Sequence, residues 1–421
     1  SSHYALRTTH YISALSIATS VTILAALTLP AYYTNPTARD NYAGVARSVA
    51  VLGDPITDLV LLNAPGQQEV WRYYDPGLPV LALPQQRPPN PEQTIATLST
   101  AVADRRNIFA LFWATDEADP TRIVERWLDQ QAFKGLESWQ GNLRFVSYRL
   151  PNQLVCALLP NVQFEQQIAL IEQCQPSFPQ AVPAGEVALI SLHWQALVSL
   201  QQRYKVSLQL LDARNQVIAQ RDSEPGGGSQ PTNAWQPQIT IVDNHGLMIP
   251  PGTPPGDYRL IVALYDPTTN RRLHVGEVDW AVLGYLTVEK PARPFPLDIV
   301  PMQHRLNIAL GPVTLVGYDA YRQGFAHAPT TPIRPGEPVH FTFYWQAPAA
   351  LPANFPPDLH FTLQLGKQIL TAPLAGGSYP TGRWQVGELV RGEFDLQFDG
   401  QSRIPKLQVQ SIQTSLKKVS R

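Results

Sequence analysis

Few residues in this chain are spaced for chemistry. Asn63-Ala64-Pro65-Gly66-Gln67 follows an apolar run, the position at which open α/β sheets hold ligands. It has neither the glycine spacing of a dinucleotide loop nor the Lys-Ser/Thr of a phosphate loop. Asn63 and Gln67 therefore stand as candidate ligand contacts, against the simpler reading of a turn that needs a small residue. Asp116-Glu117-Ala118-Asp119 looks like a carboxylate cluster, but helix starts attract acids for dipole reasons alone, and capping is the better reading. Trp235 and Trp384 follow turns; they are candidates for stacking on sugar rings, or plugs that hold the turn. His193 and His340 have no acid or nucleophile at triad spacing and read as surface histidines. Cys156 and Cys174 are the only cysteines. In an exported chain they could pair as a disulfide; the plainer alternative is two buried free thiols. Without a CxxC pair or a Cys/His cluster, no metal site is expected. The sequence marks no catalytic residue and implies no cofactor.

The elements that must position these residues begin with composition. A length of 421 residues suggests two to four domains, and 44% hydrophobic residues with 15% charged ones suit folded cores. Lys and Arg number 32 against 33 Asp and Glu, so no global field recruits a polyanion and nucleic-acid binding is set aside. Forty prolines disfavour long helices in water and mark strand edges and turns.

Between residues 35 and 150, the apolar runs Leu59–Leu62, Leu78–Leu83, Ile108–Trp113 and Arg144–Leu150 read as strands. The first three are nearly all apolar, as a sheet covered on both faces requires. Asn90-Pro91-Glu92-Gln93 is an N-cap, a proline at N1 and a capping-box Gln. Asp119-Pro120 starts a second helix, and a third runs from Asp40 to about Leu52, ended by Gly53. The expectation is a small three-layer α/β domain over 35–150.

The strongest signal is internal repetition. Pro183-Ala184-Gly185-Glu186 leads to Trp194-Gln195-Ala196, and Pro335-Gly336-Glu337 leads to Trp345-Gln346-Ala347, both glycine and tryptophan shifted by 151 positions. Gly227-Gly228-Ser229-Gln230-Pro231-Thr232 precedes Trp235-Gln236, and Gly376-Gly377-Ser378-Tyr379-Pro380-Thr381 precedes Trp384-Gln385, now shifted by 149. Ordered landmarks with one two-residue indel mark a duplication. Ala188, Ile190, Leu192 and Trp194 alternate with Leu189, Ser191 and His193, as Val339, Phe341, Phe343 and Trp345 do with His340, Thr342 and Tyr344, and the set that is apolar in both copies faces inward. Two tandem Ig-like β-sandwiches, 151–290 and 291–421, are expected.

Tyr11 to Tyr33 is a stretch of 23 residues free of charge. As a helix it spans about 35 Å, enough for a membrane, and an N-terminal transmembrane anchor over 1–34 is expected. Its Ser and Thr residues suit packing among other helices, in a larger membrane complex.

The stretches Asp40-Asn41-Tyr42, Leu61-Leu62-Asn63-Ala64-Pro65-Gly66-Gln67, Tyr73-Tyr74, Leu78-Pro79-Val80, Glu125-Arg126-Trp127-Leu128-Asp129 and Phe145-Val146-Ser147-Tyr148 resemble the extracytoplasmic region after the last membrane helix of bacterial family 39 glycosyltransferases. These are similar to dolichyl-phosphate-mannose-protein mannosyltransferases. The Pro-Gly-Glu and Tyr-Pro-Thr-x-x-Trp-Gln turns resemble sandwich modules appended to such proteins. The resemblance implies sugar transfer from a polyprenyl-phosphate carrier outside the cell membrane, catalysed by a many-helix core that this chain lacks. It carries over no catalytic residue. The chain is then expected to be a non-catalytic portion that positions a glycan or protein acceptor. The alternative is a single-span surface protein with structural, binding or accessory duties.

Overall fold

In the computed structural model, residues 17–30, 33, 40–151, 153–325, 330–348, 350, 355–365, 368–397 and 409–414 are described. They are mostly strand, and they separate into two compact units. One is drawn from Ser1–Val124 with Leu136–Ser147, the other from Glu125–Gly135 with Tyr148–Arg421.

The first unit holds β1 (Asp58–Leu62), β2 (Val80–Ala82) and β3 (Asn107–Phe112), with most of β4 (Phe133–Gln140) and β5 (Leu143–Arg149), in the sheet order β2-β1-β3-β5-β4. β1 is parallel to both neighbours, Val60 facing Val80 and Leu59 facing Ile108. Every residue of β1 is buried, as a strand covered on both faces must be. Helix α1 (Tyr42–Leu52) and α2 (Gln67–Tyr74) cover one face, where Val49 and Trp71 meet Val60, Leu62 and Phe109. The right-handed crossover rule sends α3 (Pro91–Val102) to the other face, since β2 and β3 flank β1 on opposite sides. α1 is capped by Asn41, whose Oδ1 accepts from the Gly44 N–H at 2.9 Å, and α3 by Asn90, which accepts from the Gln93 N–H at 3.0 Å. A one-turn α4 (Thr115–Ala118) precedes α5 (Ile123–Gln131), whose first N–H groups donate to the Asp119 carboxylate at 2.9 and 3.0 Å.

The second unit contains two β-sandwiches. In the first, β6 (Val155–Phe164), β7 (Ile168–Gln175), β9 (Val187–Ala196) and β12 (Thr240–Met248) form one sheet, ordered β12-β9-β7-β6. Its partner is β11 (Val217–Ser223), β10 (Lys205–Leu211), β13 (Gly256–Tyr265), β14 (Ala281–Glu289) and β8 (Gln180–Pro183), in that order. Trp194, Ile190, Leu208 and Val262 close the core between them. The second sandwich repeats the plan. β15 (His304–Leu310), β16 (Val313–Arg322), β17 (Pro338–Gln346) and β20 (Leu389–Gln397) take the places of β6, β7, β9 and β12. β19 (Gln368–Pro373), β18 (Leu359–Leu365) and β21 (Val409–Thr414) take those of β11, β10 and β13. Trp194 faces Ile241 and Trp345 faces Val390, so the two-residue indel is absorbed between paired strands without a change of register.

The expected membrane anchor is corrected. Among the described residues no helix is long and apolar enough to cross a membrane. Helix is described at residues 17–30, and these residues do not make up a membrane-crossing helix. The expected Tyr11–Tyr33 anchor is therefore not upheld; residues 1–16, 31, 32 and 34–39 lie outside the described residues.

The two equivalent tryptophans differ in one bond. Trp194 Nε1 donates to Asp243 Oδ2 at 3.2 Å, whereas Trp345 Nε1 has no partner among the described residues. Trp194→Phe should therefore destabilise by about 1–3 kcal/mol more than Trp345→Phe, since it strips a donor from a buried carboxylate. Urea midpoints of the two variants test this, and equal losses would refute it.

Candidate functional site

The loop after β1 is closed, not open. Asn63 is wholly buried; its Nδ2 donates to the Leu83 carbonyl at 3.3 Å and lies 3.5 Å from Asp119 Oδ2, while its Oδ1 has no partner among the described residues. Gln67 begins α2 and is also buried; although it bears on the Tyr42 hydroxyl, its amide closes no hydrogen bond of normal length among the described residues. Both side chains lie beneath the loop and present nothing to a ligand outside it. Asp119 serves as the cap of α5.

Trp235 and Trp384 are plugs. Only 6% and 3% of their surfaces remain exposed, too little for a sugar ring to stack upon. Trp235 Nε1 donates to the Gln230 carbonyl at 2.9 Å, and Trp384 Nε1 to the equivalent Tyr379 carbonyl at 3.2 Å. The threonines of the two turns match as well. Thr232 Oγ1 accepts from the Tyr204 N–H at 2.9 Å, and Thr381 Oγ1 from the Leu359 N–H at 3.1 Å. Each turn pins the start of the strand pair beneath it.

The glycines of these turns have a second use. Gly227 and Gly376 are equivalent, with φ of +63° and +65°. A Cβ on Gly227 would stand 2.6 Å from Asp129 Oδ2, and one on Gly376 would stand 2.6 Å from Arg214 Nη2. Asp129 lies just upstream of the first sandwich, and Arg214 lies in the β10–β11 hairpin of that sandwich. Each repeated turn is thus a socket for a charged side chain from the preceding part of the chain. Asp129 is itself held by Lys134 at 3.0 Å and by the Tyr148 hydroxyl at 3.0 Å. Burial raises its carboxyl above the ordinary value, with Lys134 opposing.

Beside the second socket lies a polar lattice that sequence reasoning did not assemble. On the face of the second sandwich away from its core, three strands pair side by side. Tyr321, His340 and Asp395 form one row, Asp319, Thr342 and Glu393 the next, and Gly317, Tyr344 and Arg391 the third. His340, expected at the surface, is buried instead. Its Nδ1 lies 2.7 Å from Asp395 Oδ1 and its Nε2 lies 2.8 Å from Glu393 Oε2. Thr342 Oγ1 donates to Glu393 at 2.6 Å, the Arg391 guanidinium pairs with the same carboxylate, and Tyr344 donates to Asp319 at 2.8 Å. The first sandwich covers this face. The Arg391 N–H donates to the Gly252 carbonyl at 2.8 Å, Gln216 Nε2 to Asp395 at 3.2 Å, and Arg214 Nη2 to the Glu393 carbonyl at 3.4 Å. At its edge a cavity of about 20 Å³, lined by Gly252, Phe295, Glu388 and Leu389, has room for no more than a water. Burial opposes a charge on His340, but its two carboxylate partners prevail and push it up to about 9. Burial also opposes ionisation of Glu393, and Arg391 with His340 pulls it down to about 2. The lattice is an interlock of matched charges with no space for substrate.

The first sandwich carries a different inner cluster. His245 Nε2 lies 2.6 Å from Asp243 Oδ2, and Ser223 Oγ lies 3.4 Å from His245 Nδ1. The order resembles a hydrolytic triad, but Asp243 and His245 are wholly buried. Asp243 also accepts from Trp194 and from the Gly226 N–H at 2.8 Å. Its task is to bind the glycine turn to the core. Cys156 and Cys174 face each other across β6 and β7 and are joined as a disulfide. His193, partly buried, bonds Glu172 through Nδ1 at 2.6 Å.

No protein-family model matches this chain, and no curated protein matches it.

The interlock sets a pH dependence. His340 binds its proton more tightly folded, at about 9, than at the ordinary 6.5. Its stabilisation is complete below 6.5 and declines as pH rises through 9, by at most about 1.4 kcal/mol per pH unit for one proton. Urea denaturation between those limits should show this decline in the native chain and a flatter profile in His340→Gln. An identical slope in both would exclude His340 as the cause.

Proposed function

We propose that this chain is a non-catalytic, extracytoplasmic positioning module of a polyprenyl-phosphate-sugar glycosyltransferase. The observation that carries the positioning role is the repeated glycine socket, filled in each sandwich by a charged side chain from upstream. Such interlocks remove the freedom of a linker, and a rigid arm is what an acceptor or partner needs if it is to be presented at a fixed place. The polar clusters that would otherwise suggest chemistry are spent on these joints. The disulfide supports an oxidising compartment outside the cytoplasm. The sugar-transfer context rests on the resemblance of the Asp40–Gln67 and Glu125–Tyr148 stretches.

A second reading has the same interlocks serve a surface protein that acts as a structural or accessory subunit of a larger complex, with no sugar chemistry nearby.

Two measurements separate these readings. The purified chain, incubated with a radiolabelled polyprenyl-phosphate hexose and a peptide or glycan acceptor, should neither transfer nor hydrolyse the sugar. Deleting its coding region should lower acceptor glycosylation in cells while the lipid-linked donor accumulates. Turnover by the isolated chain would sink the non-catalytic assignment. Unchanged glycosylation after deletion would favour the accessory subunit.

A further inference from the structure

The outer face of the β12-β9-β7-β6 sheet gathers four side chains with the chemistry of a soft-metal site. Cys156 on β6 pairs directly with Cys174 on β7. Glu172 lies two residues before Cys174 on the same strand face and pairs with His193 on β9. The two sulfurs and a Glu172 carboxylate oxygen lie within 4.8 Å of one another. His193 Nε2 stands 3.8 Å from Cys174 Sγ while its Nδ1 is held by Glu172 at 2.6 Å.

We propose that reduction of this disulfide opens a zinc-class site whose protein donors are Cys156 Sγ, Cys174 Sγ and His193 Nε2, with the fourth position left to water and Glu172 as the positioning residue behind His193. Tetrahedral zinc, with Zn–S of about 2.3 Å and Zn–N of about 2.0 Å, sets its donor atoms about 3.4–3.8 Å apart. The His193–Cys174 separation already lies at the upper end of that range, and breaking the S–S bond lets the sulfurs part toward it. Glu172 fixes the ring so that Nε2 faces the sulfur, the orienting role that a carboxylate plays for a metal-bound histidine. Two thiolates with an imidazole favour zinc or cobalt over calcium or magnesium.

The chemistry balances in two steps. A dithiol reductant gives two electrons and two protons to the S–S bond, forming its own disulfide and two protein thiols. A divalent ion then displaces one proton from each thiol as it forms two metal–sulfur bonds. Cys156 is exposed, so an incoming thiolate reaches its sulfur, and Cys174 is the leaving group. In the oxidised chain both sulfurs are committed to each other and the site is closed.

The probe is Co2+ added to the full chain after reduction with a phosphine, which does not itself supply a thiol. One equivalent should bind with a thiolate-to-cobalt charge-transfer band, and Zn2+ should bleach it. The disulfide-intact chain should show no such band, nor should a reduced Cys156→Ser/Cys174→Ser variant. His193→Ala should weaken cobalt binding at least tenfold, and Glu172→Gln about tenfold. Far-UV circular dichroism of the reduced chain shows whether the sandwiches survive. A folded reduced chain without the band would overturn the proposal, as would a band that is indifferent to His193.

Discussion

A charge taken out of water has to be matched on every side, and the joint between the two sandwiches is built around that constraint. Arg391 and Glu393 sit on one strand two residues apart, both buried, and neither tolerates the loss of its neighbour. Removing one member of such a pair costs about 3–5 kcal/mol, because the other charge is stranded. His340 and Asp395 extend the match, and Gln216 and the backbone of Gly252 complete it from the first sandwich. The position of one sandwich on the other is therefore set by directional bonds as well as by apolar contact. Apolar contact alone would allow sliding.

The duplicated frame handles polar groups in opposite ways in its two copies. In the first, the inward positions of β12 are Asp243 and His245; the matching positions of β20 are Gly392 and Phe394. Asp243 binds the glycine turn through Gly226. Gly392 instead lets the equivalent turn lie directly on the strand, since a Cβ there would stand 2.1 Å from the Leu374 carbonyl. One copy fastens its turn with a buried carboxylate and leaves its outer face to Glu172, His193 and the disulfide. The other fastens its turn by close approach and places its charges on the outer face, where its neighbour covers them.

The sandwiches were legible in the sequence because their cores alternate with period two and their turns need glycine, proline and tryptophan at fixed offsets. The caps Asn90 and Asp119 were legible for a local reason, since each acts within five residues of itself, whereas the helix expected from Asp40 is capped by Asn41, which was not picked out. β4 was missed: Phe133–Gln140 alternates a lysine and a glutamate with apolar residues, and half-exposed edge strands carry a weak signal. The polar lattice was missed because its rows join strands more than fifty residues apart, as between His340 and Glu393 or Asp395. Half of it, His340-x-Thr342-x-Tyr344, was seen as an outer face, but the Arg391-x-Glu393-x-Asp395 alternation that buries it was not connected to it. The Tyr11–Tyr33 reading rested on charge-free length, and among the described residues no helix is both long and apolar enough to cross a membrane.

The two sockets receive opposite charges, Asp129 in one and Arg214 in the other. Their contacts run head to tail along the chain, with a different surface offered on each side of the joint. Contacts of this kind do not close on themselves as the joint of a two-fold dimer does. Such modules add in sequence, like links that fit in only one direction, and the sign of the inserted charge distinguishes one link from the next. An exchange of the two sandwiches would bring a different side chain to each turn, so their order along the chain is written into the joints themselves.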